Sequence, residues 1–596
     1  MKKPWSISTT VRNPERLRDF LRVLKQLEGQ SFDTSNQIKY QVLLIKEHIY
    51  KPLNIPVDYR KYYEKPETEI PYKVAEEIFN LQKYEDPPMR GRQSVNPLNK
   101  LGFSIARDGY GPITITELGN KFLSDYDVGY IFFKSLLKLQ FPNPWSAGFS
   151  EQEGFNIMPF IAVMALIEKI NQKSNKKGLT QIEFNIFVPT LIRFDQVDEY
   201  VESILEYRRA KNKDKYIDNF AKMFYGATTI PPKKIKNLFD YGDNIMRYFR
   251  LTRYFKVSMD SLGYNWSIDL EPSRKVEIQQ LLNKYKGESF KFKNIEDYLV
   301  YLSNISEPIL PWEEMENLIK VIQSLKIDTT NLIKEGKLQI NKDQQELIDM
   351  DINIMSKTQL ENYNSQLRKL YLEMKKYSEK IKLTGNINKV EEIIHTLQDT
   401  KRLKNFEPEQ FEKLITEALI IINDEILIKP NYPVDDDGNP VNHAPGNKPD
   451  IECYYNKFKA IFEVSLNTQK LQWVQEGQPV MRHLRDFENQ HQDDDIFCIF
   501  IAPRIHIDTY SQFWISVKYE YNGIPQKIVP MTSEQFASLL ETILVLLRKG
   551  KRFSHIELYK LYSEIVNESK RLVSFSDWVQ YIHNIIEKWK QRITTI

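Results

Sequence analysis

The chain has 596 residues, 41% of them hydrophobic, and its 83 basic residues are set against 80 acidic ones for a formal net charge of +3. That length is too great for one hydrophobic core and implies about three or four domains, while the near-balance of charge means that any nucleic-acid surface has to be local. No run reaches the roughly eighteen apolar residues of a membrane span and Met1-Lys2-Lys3-Pro4-Trp5 does not resemble a signal peptide, so the expectation is a soluble protein of a reducing compartment.

In chain order, the first organised passage leads from Asn96 to Arg107 into Asp108-Gly109-Tyr110-Gly111-Pro112 and on to Leu123. Gly109 and Gly111 permit the tight turn of a β-hairpin, and Thr116 is placed to cap a following helix. A second passage repeats the theme. Gly178 to Glu183 opens a helix, Tyr248 to Val257 and Asn265 to Leu270 read as strands around Asp260-Ser261-Leu262-Gly263, and a helix follows from Pro272. Both passages look like winged helices, a fold that reads DNA in some proteins and mediates protein contacts in others. Arg90, Arg92, Lys100 and Arg107 gather at the first; Arg247, Arg250, Arg253 and Lys256 gather at the second, interleaved with Tyr248, Phe249, Tyr254 and Phe255. Arginine grips guanine bidentately or neutralises phosphate. Taken singly, each cation is equally at home on a solvated surface, and the alternating aromatic residues suit a sheet core.

Between Pro311 and Pro408 there is no proline. Leu360, Tyr363, Leu367, Leu370, Tyr371 and Met374 recur at helical spacing, so this segment reads as connecting helices, too interrupted for a coiled coil. The acidic run Val434-Asp435-Asp436-Asp437-Gly438-Asn439-Pro440 lacks the ligand pattern of a calcium loop and reads as a turn.

The most informative stretch is His443-Ala444-Pro445-Gly446-Asn447-Lys448-Pro449-Asp450, followed by a short hairpin. With Ile451 to Tyr455 as one strand, Asn456-Lys457 as the turn and Phe458 to Val464 returning, Asp450 falls directly opposite Glu463. Opposed like charges destabilise a sheet, so the pair makes sense around a divalent cation, and Mg2+ takes one or two carboxylates with water and phosphate oxygens. The apolar run Ile496 to Ala502 reads as a strand buried on both faces. Helix-like segments flank it, Pro479 to Asn489 before and Ser533 to Lys549 after, with a further strand over Lys527 to Met531. Cys453 and Cys498 fall on these core strands and form neither a disulfide framework nor a zinc pattern.

Proline-aspartate, a spacer and glutamate, set in this order of helices and strands, resemble the core of the PD-(D/E)XK nucleases. More specifically, His443-Ala444-x-Gly446-Asn447-x-Pro449-Asp450, then Phe462-Glu463-Val464-Ser465, then Glu476-x-x-Pro479-Val480-x-Arg482-His483 resemble the catalytic domain of the AlwI family of type IIS restriction endonucleases, which includes nicking relatives. The opening Trp5 to Glu15 also resembles that family. The resemblance implies an N-terminal DNA-recognition half, a helical connector and a C-terminal cleavage domain, and with the winged-helix passages the expectation is an α+β multidomain protein: winged-helix recognition subdomains over 1–150 and 151–275, a helical connector over 276–405 and a cleavage domain over 406–596. It implies Asp450, Glu463 and Val464 as the Mg2+ positions, with Glu476, His483 and Glu412 completing the catalytic set. It further implies cleavage of double-stranded DNA outside a short asymmetric site, with GGATC or GAGTC suggested, in a bacterial or archaeal cytoplasm beside a cognate DNA methyltransferase. Ser465 stands where the general motif carries lysine, as in relatives of this family, which leaves His483 and Lys470 as alternative water-activating groups. Two other readings stay open: a strand-specific nicking enzyme that needs a second copy or a small second subunit, and a catalytically silent winged-helix regulator.

Overall fold

The computed structural model describes residues 2–595 apart from 9–10, 12, 53, 65–67, 125, 144–147, 260–265, 337, 339, 423–426, 433–442, 445–447, 493 and 552. The acidic run at 434–440 and the turn at 260–263 therefore lie outside the described residues. The protein is mixed α+β and mostly helical, and it divides into two compact units. One comprises Met1–Asp260, Asn265–Asp328 and Glu346–Arg368; the other is built mainly from Thr329–Gln345 and Lys369–Ile596.

In the first unit, helix α1 (Pro87–Lys100) leads into a hairpin of β1 (Ser104–Ile105) and β2 (Thr114–Ile115), with Ser104 opposite Ile115. Gly109 and Gly111 in the connection have φ of +80° and +87°, which a side chain would resist. Thr116 caps α2 (Glu117–Leu123), its Oγ1 accepting from the Gly119 N–H at 3.0 Å. A cap of this kind is typically worth about 1 kcal/mol.

The second small sheet has the order β3 (Leu179–Thr180), β5 (Trp266–Leu270), β4 (Phe255–Met259), all antiparallel. Thr180 and Glu183 form a capping box at the start of α3 (Gln181–Phe187), and Arg208 holds Glu183 through two bonds of 2.9 Å. One expectation fails here. Tyr248 to Arg250 are the last turn of helix α4 (Pro232–Arg250), and the strand begins only at Phe255. Tyr248 and Phe249 are buried helix residues, and their spacing from Ile245 is helical, which overrides the strand propensity of the local aromatic residues.

The amino-terminal segment ties the parts of this unit together. The Trp5 indole donates to the Val188 and Leu191 carbonyls at 3.0 and 3.1 Å, and the Tyr248 hydroxyl donates to the Val11 carbonyl at 3.1 Å. Residues on either side of position 150 thus share one packed interior. Past α5 (Lys275–Lys284) the chain is helical through α6 (Met315–Gly336) and α7 (Lys357–Gly385), and Leu360, Tyr363, Leu367, Leu370 and Met374 are buried as their spacing suggests.

The second unit is built on a five-stranded sheet. Helix α8 (Pro408–Ile422) precedes β6 (Leu427–Pro430), β7 (Ile451–Tyr454) and β8 (Lys459–Val464); then come α9 (Gln478–Gln490), β9 (Ile496–Ala502), α10 (Ile507–Lys518), β10 (Ile528–Thr532) and α11 (Ser533–Arg548). The strand order is β10-β9-β8-β7-β6, with β8, β9 and β10 parallel and β6, β7 and β8 antiparallel. Every residue of β9 is buried, as a strand covered on both faces requires. Pro530 sits in the edge strand β10, where the lost N–H costs no ladder bond on the open side. Helices α12 (His555–Arg571) and α13 (Phe575–Thr595), which no motif signalled, complete the core. Trp578 is fully buried and donates to the Ile565 carbonyl at 2.9 Å. Among the described residues no helix is long and apolar enough to cross a membrane.

Candidate active site

The hairpin register places the first two carboxylates. Ile451 pairs with Phe462 and Tyr454 with Lys459, so Asp450 lies opposite Glu463 at the open end, and the Asp450 Oδ2 accepts from the Val464 N–H at 2.7 Å. Glu463 ends a run of buried β8 residues and is itself 5% exposed. Its neighbour on the hairpin behaves differently. Glu452 is hydrogen-bonded by Tyr454, Asn431 and Lys429 at 2.7, 2.8 and 3.0 Å, a structural carboxylate already neutralised.

Two more carboxylates reach the same place from distant parts of the chain. Glu412, on α8, is buried and accepts from the Ala444 N–H at 3.1 Å, which ties the helix to the His443-Ala444 segment before β7. Glu476 lies in a π-helical turn (Trp473–Gly477) that runs into α9, the kind of local widening common at functional sites. A Cβ at Gly477 would come within 1.9 Å of the Trp473 ring, so only glycine allows this turn to close on its tryptophan. His483, two turns further along and buried, lies with Nδ1 2.8 Å from the Glu463 Oε1.

The electrostatics identify these acids as one system. Burial raises Asp450 well above the ordinary carboxylate range, Glu463 and Glu412 add to the rise, the Val464 N–H opposes it and Glu476 adds again. Burial lifts Glu412 to about 8, against the Ala444 N–H and with help from Glu409, Glu463 and Glu476. Glu463 is raised by burial and held back by His483 and Arg482; Glu476 is raised by burial and Glu463 and held back by Ser465 and His483. Carboxylates crowded in this way disfavour one another's ionised forms, and a bound cation reverses that balance. Among the described residues no three His, Cys, Asp or Glu side chains converge tightly enough to cage an ion unaided. An all-oxygen set with two opposed carboxylates suits Mg2+, which keeps several waters.

Arg482, the motif residue next to His483, is a cation close enough to act on Glu463. Lys470 does not join the acids: it is exposed and lines a separate cleft.

The basic residues of the first unit divide sharply. Arg92 and Arg107 share a cleft of about 380 Å3 with Gln37, Gln93, Asn96 and Asp108, and Arg92 is bonded to Asp86 at 2.7 Å and Gln37 at 2.9 Å. Arg90 packs over the Tyr84 ring at 4.5 Å. Lys100 is a correction. It is 3% exposed, donates to the Ser6 carbonyl at 3.1 Å and is lowered to about 8 by burial, so it offers nothing to a phosphate. The second group is no patch either: Arg250 is buried, Arg247 pairs with Asp243 at 3.1 Å, Arg253 pairs with Asp127 at 3.2 Å, and Lys256 is half-buried.

Comparison with known proteins defines the class. Residues 99–539 match the family described as AlwI restriction endonuclease, a stretch that takes in α2 of the first unit and all five sheet strands of the second. The protein is a type II site-specific endonuclease. The chain belongs to the AlwI restriction endonuclease family. A search of curated proteins finds no match. Among solved structures the chain is similar to the small subunit (R.BspD6I2) of the heterodimeric restriction endonuclease R.BspD6I, with 20% identity over 33% of this chain and 98% of that one at a TM-score of 0.28. It is also similar to the BpuJ1 endonuclease binding domain in complex with pyrene- and phenanthrene-modified DNA (13% identity, 48% of this chain and 90% of that one, TM-score 0.29) and to restriction endonuclease FokI (13% identity, 94% and 99%, TM-score 0.22).

Proposed function

We propose that the second unit is a PD-(D/E)XK-type cleavage domain that hydrolyses DNA phosphodiesters with Mg2+, outside a short asymmetric site read by the first unit. The observation that carries this reading is the Asp450–Glu463 opposition at the open end of the β7–β8 hairpin, with Glu412 and Glu476 brought beside it. Asp450, Glu463 and the main chain of Val464 would hold Mg2+, which when bound activates water and stabilises charge on the scissile phosphate. Asp450 is oriented by the Val464 N–H, Glu463 by His483, and Glu476 by Ser465. His483 is therefore a positioning residue that acts through Glu463, and Arg482 is the cation available where the motif lysine is replaced by Ser465. In the first unit the cleft holding Arg92 and Arg107 is the candidate DNA surface, and the hairpin with its capped helix is the winged-helix element that presents it. The finer division into 1–150 and 151–275 recognition subdomains, a 276–405 connector and a 406–596 cleavage domain belongs to the same reading.

One acid cluster among the described residues cuts one strand at a time, so a second copy or subunit supplies the second cut, and without it the enzyme nicks. Incubation of supercoiled plasmid with and without Mg2+ tests the proposal. Linear product supports double-strand cleavage, nicked circle the strand-specific reading, and unchanged plasmid a silent DNA-binding regulator. Sequencing the ends of the product gives the site and offset.

A further inference from the structure

A second concavity lies on the second unit, a cleft of about 750 Å3 whose wall includes Lys470, Arg504, His506, Ile507, Tyr510 and Phe575. Its position follows from the sheet. β8 and β9 run parallel with Val464 opposite Ile501, so the loops that follow them leave the same edge as Glu463. Lys470 is on the first of these loops and Arg504 on the second. Gln472, fully buried, locks the loops together: its amide donates to the Asn467 carbonyl at 2.5 Å and the Arg504 carbonyl at 3.0 Å, and its oxygen accepts from the His506 N–H at 2.8 Å.

The chemistry of the wall is selective. Lys470 and Arg504 are both exposed, and among the described residues no ion pair or side-chain hydrogen bond engages either of them. This sets them apart from Lys459 and Lys527 of the same unit, which are bound to Asp494 and Asp495. Of the carboxylates next to the lining residues, Asp508 is directed to His506 at 3.6 Å and Asp577 accepts from the Ser574 hydroxyl at 2.7 Å. The same cleft is lined by the apolar side chains of Ile507, which is 59% exposed, Tyr510 and Phe575. Two exposed cations in a cleft that also carries apolar side chains fit an anion carried on a sugar, with phosphate on the cations and the sugar ring against Ile507 and Phe575.

We propose that this cleft binds the sugar–phosphate backbone of the substrate DNA at phosphates other than the scissile one, with Lys470 and Arg504 as its contacts. The proposal rests on the nuclease reading above only for the identity of the ligand. Each phosphate neutralised on duplex DNA contributes about 0.9 to the slope of log affinity against log salt, so two lost contacts lower that slope by about 2. The test uses the full chain in EDTA with a random-sequence duplex of about 40 base pairs, long enough for non-specific contacts along the protein.

Lys470→Gln/Arg504→Gln should weaken binding and flatten the salt dependence by about two contacts, with unchanged melting temperature. In the unaltered chain, DNA should protect Lys470 from a lysine-acylating reagent. A folded double variant with unchanged slope, or a Lys470 that is acylated equally with and without DNA, overturns the proposal. Protection that follows protein concentration rather than DNA also overturns it, because the occupant is then a second copy of the chain. These measurements need no cleavage. Failure of the catalytic assignment, seen as cutting by Glu463→Gln, is therefore distinguishable from failure of this one.

Discussion

His483 Nδ1 and Glu463 Oε1 are 2.8 Å apart, both buried, at the junction of α9 and β8. The bond fixes one Glu463 carboxylate oxygen toward the histidine, on the strand position opposite Asp450. If Glu463 holds the metal as proposed, a histidine placed in this way is the outer partner of a metal ligand, a role whose loss typically costs 10–100-fold in affinity or activity. His483→Ala should lower the single-turnover cleavage rate by roughly that factor and raise the Mg2+ concentration needed for half-maximal rate. His483→Asn, whose amide nitrogen reaches the Nδ1 position, should recover part of both. A rate deficit that leaves the Mg2+ dependence unmoved would assign His483 to water activation instead.

The proposed metal pair gives a sharper expectation. Asp450→Ala or Glu463→Gln should reduce cleavage at least about a hundredfold, the scale of lost transition-state charge stabilisation, while affinity for DNA stays within a few fold. Rapid-quench cleavage alongside a binding titration in EDTA checks both halves. Substantial cutting by a folded Asp450→Ala protein would move the chemistry elsewhere.

The acid cluster also has a consequence for stability without metal. Glu412 is lifted to about 8 by burial, against the Ala444 N–H and with the help of Glu409, Glu463 and Glu476. Across the window from its ordinary value near 4.5 up to about 8, the folded chain holds a proton that the unfolded chain has released. Stability therefore falls as pH rises through that window. In EDTA, Glu412→Gln should raise the melting temperature at pH 8.5 and change it little at pH 5, since glutamine still accepts from Ala444. Added Mg2+ should shrink the difference; a melting temperature lowered at both pH values would contradict the repulsion argument.

Much of this site was legible because hairpins count. A two-residue turn with Tyr455 facing Phe458 fixes every pair back to Asp450 and Glu463, and the Tyr455 N–H indeed donates to the Phe458 carbonyl at 3.0 Å. Helix α9, strand β9 and helix α11 followed from periodicity within a residue or two. What sequence could not give was long-range convergence. Nothing local says that Glu412 reaches Ala444, that Glu476 sits on a π turn, or that Lys470 lines a separate cleft. The error at Tyr248 to Arg250 has a local cause: the aromatic pairs of RYFRLTRYF favour a strand over a short window, while the helical face through Ile245 needs a longer one. Lys100 misled for another reason. A lysine at the end of an amphipathic helix is normally solvated, and only the Ser6 carbonyl and the Phe149 ring at 5.4 Å explain its burial.

That contrast supplies the last prediction, which separates the cations of the first unit by what surrounds them. Arg92 and Arg107 line one cleft, so Arg92→Ala and Arg107→Ala should each weaken DNA binding and lower the salt slope by about 0.9 where the contact is to phosphate. Where the contact is to a base, each should cost about 1–3 kcal/mol in discrimination at one position of the site. Arg92→Ala also frees Asp86 and Gln37, so its melting temperature has to be measured beside its affinity. Lys100→Met should behave oppositely. The thioether fills the same buried space without a charge to desolvate, so DNA affinity and salt slope should match the unaltered chain while stability shifts. Loss of specific binding in a Lys100→Met protein of normal melting temperature would return Lys100 to the DNA surface, and unchanged binding in the Arg92→Ala/Arg107→Ala double variant would remove this cleft from it.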